Sequence, residues 1–387
     1  MEAKAQADAT AVRPTALILS FVALVAFLDT FAIVPILSPY AVAQGASEAQ
    51  AGWIVGLYSL ANLMANLYSG VLIDRWGRRL PMALSLLSAS VLIWLYGVLA
   101  APLWLMAIRA LHGATGAVFV PALFALTGEH GGSSRTRAMG RIGVLIGLTA
   151  MLAPPISGML VKTYGEPTLF VGVSVLTALA GLCAFWLPAD APSHEARTQV
   201  EWRALWRTAG VLVSFWLTLG MTFAMGVLTV ALPLEMGSAG YDAAYRGRIW
   251  GAFALVSMLC MALVRRRGVL GGAFGRSVLG VALLMAGLIA FETLPMPTGA
   301  WLWALLGGVG FGLTFPAVHL LAFEHAPESA RGSALAILHA FYSLGYVAGP
   351  ALAGWLVAQS VAGWGGAIGA AAALLIALRY TGIIQKR

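Results

Sequence analysis

Long apolar runs alternate with short polar breaks along this chain from Leu17 to Ile384. About twelve of the runs reach the ~20 residues that a helix needs to cross the hydrocarbon core of a bilayer. The pattern predicts transmembrane helices over 15–40, 50–72, 80–100, 102–128, 139–161, 167–187, 208–233, 246–264, 275–294, 298–323, 332–357 and 364–383. That makes the chain a polytopic helical membrane protein.

Composition agrees, with 60% hydrophobic residues, 10% charged and a mean hydropathy of +0.87, values outside any soluble globular class. The net charge of +8 invites a nucleic-acid reading, but its distribution removes one. With the N-terminus inside, nineteen of the 23 basic residues fall on the cytoplasmic side, three (Lys162, Arg246, Arg248) fall outside, and Arg109 lies within a span. The basicity therefore reports orientation, with both termini cytoplasmic and no polyanionic partner. The first fourteen residues lack the short apolar core of a secretory signal, so the first helix is expected to be retained. Cys183 and Cys260 sit in apolar helices as packing residues, with no disulfide or metal framework. No phosphate loop, nucleophile elbow or metal-ligand cluster is present, so neither hydrolysis nor a cofactor is expected. Arginine exceeds lysine, and alanine and glycine abound, which suggests a GC-rich bacterial source and hence an inner membrane.

Between the second and third spans lies a charged knot, Gly70-Val-Leu72-Ile-Asp74-Arg75-Trp-Gly77-Arg78-Arg79. Gly70 is read as letting a neighbouring helix approach, Asp74 as an anion at the membrane boundary and Gly77 as a helix breaker before the arginines. The string resembles Gly-x-Leu-x-Asp-Arg-x-Gly-Arg-Arg, the loop signature of the major facilitator superfamily. That resemblance implies an all-α membrane protein of twelve transmembrane helices in two pseudo-symmetric six-helix bundles, with a substrate cavity between them near the midplane.

An internal repeat points the same way. Glu129-His130, Pro121 and Ala153-Pro154 recur as Glu324-His325, Pro316 and Gly349-Pro350, at offsets of 195 or 196 residues. The expected units are 1–187 and 208–387, joined by a polar cytoplasmic linker, 188–207. Trp202, Leu205 and Trp206 in that linker carry the spacing of a short amphipathic helix on the membrane surface. Glu129 and Glu324 end equivalent helices, a repetition that suggests a gate pairing with Arg135 or Arg331.

Ionisable residues deep in a membrane helix are costly and ask for a partner or a task. Asp29 lies mid-helix in the first span; Arg109 and His112, three apart in the fourth, share a helix face. The stretch resembles the superfamily's fourth-helix signature, whose arginine is associated with proton coupling. Asp29 is expected to titrate during transport under the influence of Arg109, the alternative being a static Asp29–Arg109 bridge. His319 and His339, near helix ends, read as solvated or bonded to backbone. Pro154 and Gly158 in the fifth helix, and Gly349, Pro350 and Gly354 in the eleventh, are kink and close-packing residues. Exporters of the superfamily carry a Gly-Pro signature in the fifth helix; here Ala153 replaces that glycine. Asn62 with Asn66, and Tyr342 with Tyr346, each four apart, are candidate substrate contacts. Arg331, Gly332 and Ser333 start the eleventh helix, where Asp74 is expected to latch the bundles when the cytoplasmic side is shut.

The resulting expectation is a monomeric, proton-driven exporter of a small amphipathic or apolar molecule across the lipid bilayer. A solute:proton symporter remains the nearest alternative, and a lipid-handling or transport-dead sensor protein the alternative from another class.

Overall fold

The computed structural model describes residues 2–130, 135–188, 205–264 and 272–384, with side chains described over 15–127, 137–188, 205–264 and 272–381. Among the described residues, twelve helices are long and apolar enough to span a membrane. They are α1 (Glu2–Ala43), α2 (Glu48–Trp76), α3 (Arg79–Val98), α4 (Pro102–His130), α5 (Arg135–Tyr164), α6 (Glu166–Ala184), α7 (Ala209–Ser238), α8 (Ala243–Leu263), α9 (Gly272–Thr293), α10 (Thr298–His325), α11 (Arg331–Val357) and α12 (Ala362–Ile384). Most of the linker, Trp202 included, lies outside the described residues, but Leu205 is buried and Trp206 rests on Phe215 and Phe341.

Local signals set the helix ends. Ser47 and Gln50 close a reciprocal capping box at the start of α2, and Gly77 ends it with a positive φ of 74°. Asp242 caps α8 by accepting from the Tyr245 backbone N–H at 2.8 Å. Side chains such as Leu103 (78% exposed) and Leu263 (75%) cover the outer surface, a face that suits lipid and not water. Buried Thr177 and Thr218 return their hydroxyls to the carbonyl four residues back, so they leave no polar group unmet.

The first bundle packs α1 on α4, α5 and α6, with α2 on α4 and α3 on α6; the second packs α10, α11 and α12 around α7. Two seams join the bundles, α2 with α11 and α5 with α8, and both close at one end only. At the end remote from residues 70–79, Gly52 lies on Pro350 and Gly354, Gly158 on Ala243, and Gly247 on Pro154. At the basic end, a Cβ placed on Gly70, Gly140, Gly143 or Gly332 would meet no atom within 4 Å. The molecule is therefore a V, shut at one face and open at the face that carries the arginine knot.

Candidate functional site: a buried relay within the first bundle

Asp29 and His112 are each 1% exposed, and the His112 Nε2 to Asp29 Oδ2 distance is 3.1 Å. The other carboxylate oxygen accepts from Thr30 Oγ1 at 2.8 Å. His112 Nδ1 meets the Tyr96 hydroxyl at 3.0 Å, and Arg109 Nη1 donates to that same hydroxyl at 3.5 Å. Arg109 then reaches α2, donating from Nε to the Ile54 carbonyl (3.2 Å) and from Nη2 to that of Val55 (3.5 Å), while its guanidinium lies 4.7 Å over the Tyr58 ring. Gly113 and Gly116 let Tyr58 come this close, since a Cβ at either would strike its backbone or hydroxyl.

This arrangement corrects the expected partnership. Asp29 pairs with His112, and Arg109 is one side chain further along, because its long stem carries the fork past the carboxylate to backbone carbonyls. No Asp29–Arg109 bridge exists among the described residues. The hydrogen-bond inventory is consistent when imidazole is neutral: Nε2–H donates to Asp29, and Tyr96 O–H donates to Nδ1 while accepting from Arg109. Adding a proton to His112 turns Nδ1 into a donor, so Tyr96 must rotate its hydrogen away. Thr30, Ile33, Val34, Leu37, Val55, Tyr58 and Arg109 wall a cavity of about 30 Å³, room for a water beside the relay.

The other sequence candidates fall elsewhere. Asn62 donates to the Gly113 carbonyl at 3.1 Å and clamps α2 to α4; exposed Asn66 donates back to Asn62 at 2.9 Å. Tyr342 and Tyr346 stand with their rings 5.1 Å apart, beside His339 and His319. Of the knot, Arg79 donates to the Leu187 carbonyl at 3.1 Å, Arg75 is exposed and Arg78 half-buried. The structure does not bring Asp74 to α11: Arg331 pairs with Glu328 at 3.6 Å, donates to the Phe323 carbonyl and caps the Phe323 ring, and Gly70 has no helix against it. Glu324 likewise does not meet Arg331, and the side chains of Glu129 and Arg135 lie outside those described. Pro154, Gly158, Pro350 and Gly354 line the closed seams, and Gly349 lies on α7 at Phe223. Among the described residues no three His, Cys, Asp or Glu side chains gather as a metal site.

Sequence reasoning passed over Tyr58, Tyr96 and one ion pair. Lys162 of α5 meets Asp242 of the second bundle at 2.9 Å across the closed end. Lys162, then the Tyr245 N–H, holds the Asp242 carboxyl below its ordinary range. The folded value is depressed, so the contribution is present above the ordinary carboxylate pKa and disappears as pH falls through the lowered one. Both side chains are about half exposed, so screening keeps the pair under about 1 kcal/mol. Lys162→Gln should raise labelling of a cavity cysteine from the closed end by no more than about fivefold, with no pH dependence between 6 and 8.

Twelve spans in two bundles parted at one end, with a buried chain of ionisable and polar side chains inside the first, is the build of a secondary carrier. Residues 19–331 match the family model for the Major Facilitator Superfamily, and the chain belongs to that family. Among relatives, the inner membrane transport protein YajR of Escherichia coli (strain K12) is 25% identical over 349 residues, covering 85% of this chain and 74% of that one. The class C tetracycline resistance protein of Escherichia coli is 24% identical over 339 residues, covering 81% and 82%. A crystal structure of a bacterial homolog to the human lysosomal transporter Spinster, inward-facing and unoccupied, shares the fold with a TM-score of 0.77 at 15% identity, covering 95% of this chain and 96% of that one. The protein is a multi-pass membrane transporter, not an enzyme.

Proposed function

We propose that this carrier exports a small molecule from the bacterial cytoplasm in exchange for protons, with the basic end and both termini cytoplasmic and the chain acting as a monomer. The observation that supports it is the continuous path Asp29–His112–Tyr96–Arg109 to the carbonyls of Ile54 and Val55. Those two residues lie between Gly52 and Gly56, the points where α2 touches α11 in the closed seam. A proton arriving at the buried pair weakens the grip of Arg109 on this stretch, and the units 1–187 and 208–387 rock about the relay. Asp74 then closes on the start of α11 in the alternate state. In everted vesicles, an imposed inside-acid gradient should drive accumulation of an exported substrate, and its collapse by an ionophore should stop it. Accumulation driven only by the opposite gradient indicates uptake, and gradient-independent equilibration sinks coupling altogether.

A further inference from the structure

Across the opening from the relay, α10 and α11 present a column of rings that the transport reading leaves without a task. Phe311 stacks on Phe315 at 5.3 Å, Phe315 meets His319 at 4.6 Å with the rings tilted by 50°, and His319 meets His339 edge-on at 5.4 Å. Tyr342 and Tyr346 continue it at 6.3 and 5.1 Å, and Phe311 leads to the Phe253–Trp303 stack in the closed end. The helices spend their other faces elsewhere. Gly308 and Gly312 of α10 lie on α8 and Gly310 on α9; Gly345 and Gly349 of α11 lie on α7. Among the described residues no helix of the first bundle packs extensively against α10. The column is half-buried except for His339, which is exposed, while Leu320, Leu344 and Trp355 of the same two helices are exposed towards lipid. It therefore faces the space between the bundles.

The charges in that space are one-sided. Of the carboxylates with described side chains, Glu48, Glu166, Glu235, Asp242 and Glu292 lie towards the closed end, and Asp74, Glu324 and Glu328 towards the basic end. Asp29 alone lies at mid-depth, enclosed and already paired. Groups able to carry positive charge there are Arg109, His319 and His339. A cation entering the cavity finds no free counter-charge, which is costly away from bulk water. His319 Nδ1 is spent on the Phe315 carbonyl at 2.7 Å, so it carries the hydrogen and leaves Nε2 for a ligand. Neutral, Nε2 accepts from an acidic O–H; protonated, it donates to the conjugate oxyanion.

We propose that the column binds a planar aromatic substrate bearing a weakly acidic group, a carboxylic acid or phenol, and selects against aromatic cations. The proposal rests on the reading of the space between the bundles as the transport path. It is tested on the full-length protein in nanodiscs at pH 7, without a gradient, with three isosteric probes: 2-naphthoate, 2-naphthamide and 2-naphthylmethylammonium. Naphthoate should bind at least about tenfold more tightly than the ammonium, a difference of ~1.4 kcal/mol, with the amide between them. His319→Gln combined with His339→Gln should collapse the naphthoate-to-amide ratio, with folding checked by thermal melting. The ranking on the unmodified protein stands independently of that variant. An ammonium that binds as tightly as naphthoate makes the column a cation–π cage and overturns the proposal. So does an unchanged ratio in the double variant, or no binding of any probe at millimolar concentration. Naphthoate bound as expected but never moved by a pH gradient would sink the exporter reading and leave the site. Gradient-driven flux of another compound without naphthoate binding would do the reverse.

Discussion

Asp29→Asn should abolish transport driven by a pH gradient, lowering it by roughly two orders of magnitude, while substrate exchange in the absence of a gradient persists. The asparagine keeps the size of the side chain and one oxygen, which can accept from His112 Nε2–H, while its amide NH2 replaces the oxygen that accepts from Thr30 Oγ1 and can donate to that hydroxyl once it turns, so the fold has no reason to change. What it removes is the one mid-depth carboxyl among the described side chains, and general acid–base groups of this kind are worth ~10²–10⁴ in rate. Wild-type gradient-driven flux in this variant would end the coupling proposal.

The relay makes a second demand on the same assay. Tyr96→Phe leaves Asp29 and His112 in contact but removes the hydroxyl that His112 and Arg109 share. If Tyr96 transmits protonation to α2, the variant should still bind protons yet uncouple them from substrate, leaking protons when substrate is absent. If the hydroxyl only fills a hydrogen-bonding need, the variant loses a modest amount of stability, about 1–3 kcal/mol, and keeps its coupling ratio.

Helix positions were legible because bilayer thickness fixes length: apart from α1, whose polar start at Glu2 precedes the expected span by thirteen residues, expected spans and observed helices differ by no more than about five residues, the widest being α7, which continues to Ser238. Depth was legible for the same reason, which is why Asp29, Arg109 and His112 could be singled out together. Pairing was not. Arg109 and His112 share a face, so spacing alone cannot say which one touches Asp29, and the answer turns on side-chain length. Tyr58 and Tyr96 sit in apolar helices where aromatic residues ordinarily pack or face lipid, so nothing local marks their hydroxyls. His319 and His339 are twenty residues apart on different helices, and their meeting depends on how α10 and α11 diverge. Gly70 and Asp74 carry a family pattern, but a pattern says nothing about which conformational state satisfies it, and in the state seen here the seam beside them is open.

That open seam allows the second large effect. Gly52→Val or Gly158→Val should force the closed end apart and stop transport. A side chain on Gly52 meets the Pro350 carbonyl and comes within 3.0 Å of the Gly354 nitrogen; one on Gly158 meets the Ala243 carbonyl and comes within 3.0 Å of the Ala244 Cα. These obstacles are backbone, which cannot rotate aside, and overpacking of this kind costs ~1–3 kcal/mol. Each bundle keeps its internal contacts, so the cost falls on the equilibrium between states and shifts it by roughly 5- to 150-fold. With Cys183 and Cys260 replaced, a cysteine at Val34, which lines the cavity beside the relay, reports the change through its reaction with an impermeant maleimide added at the closed end. Labelling should rise by about fivefold or more in either variant. Gly70→Val provides the contrast, since no atom lies within 4 Å of its Cβ in the present state: labelling at Val34 should fall together with transport, because the alternate state that opens the closed end must bring α11 against that position. If all three variants label and transport like the parent protein, the glycine seams are passive packing and the bundles do not exchange one closed end for the other along them.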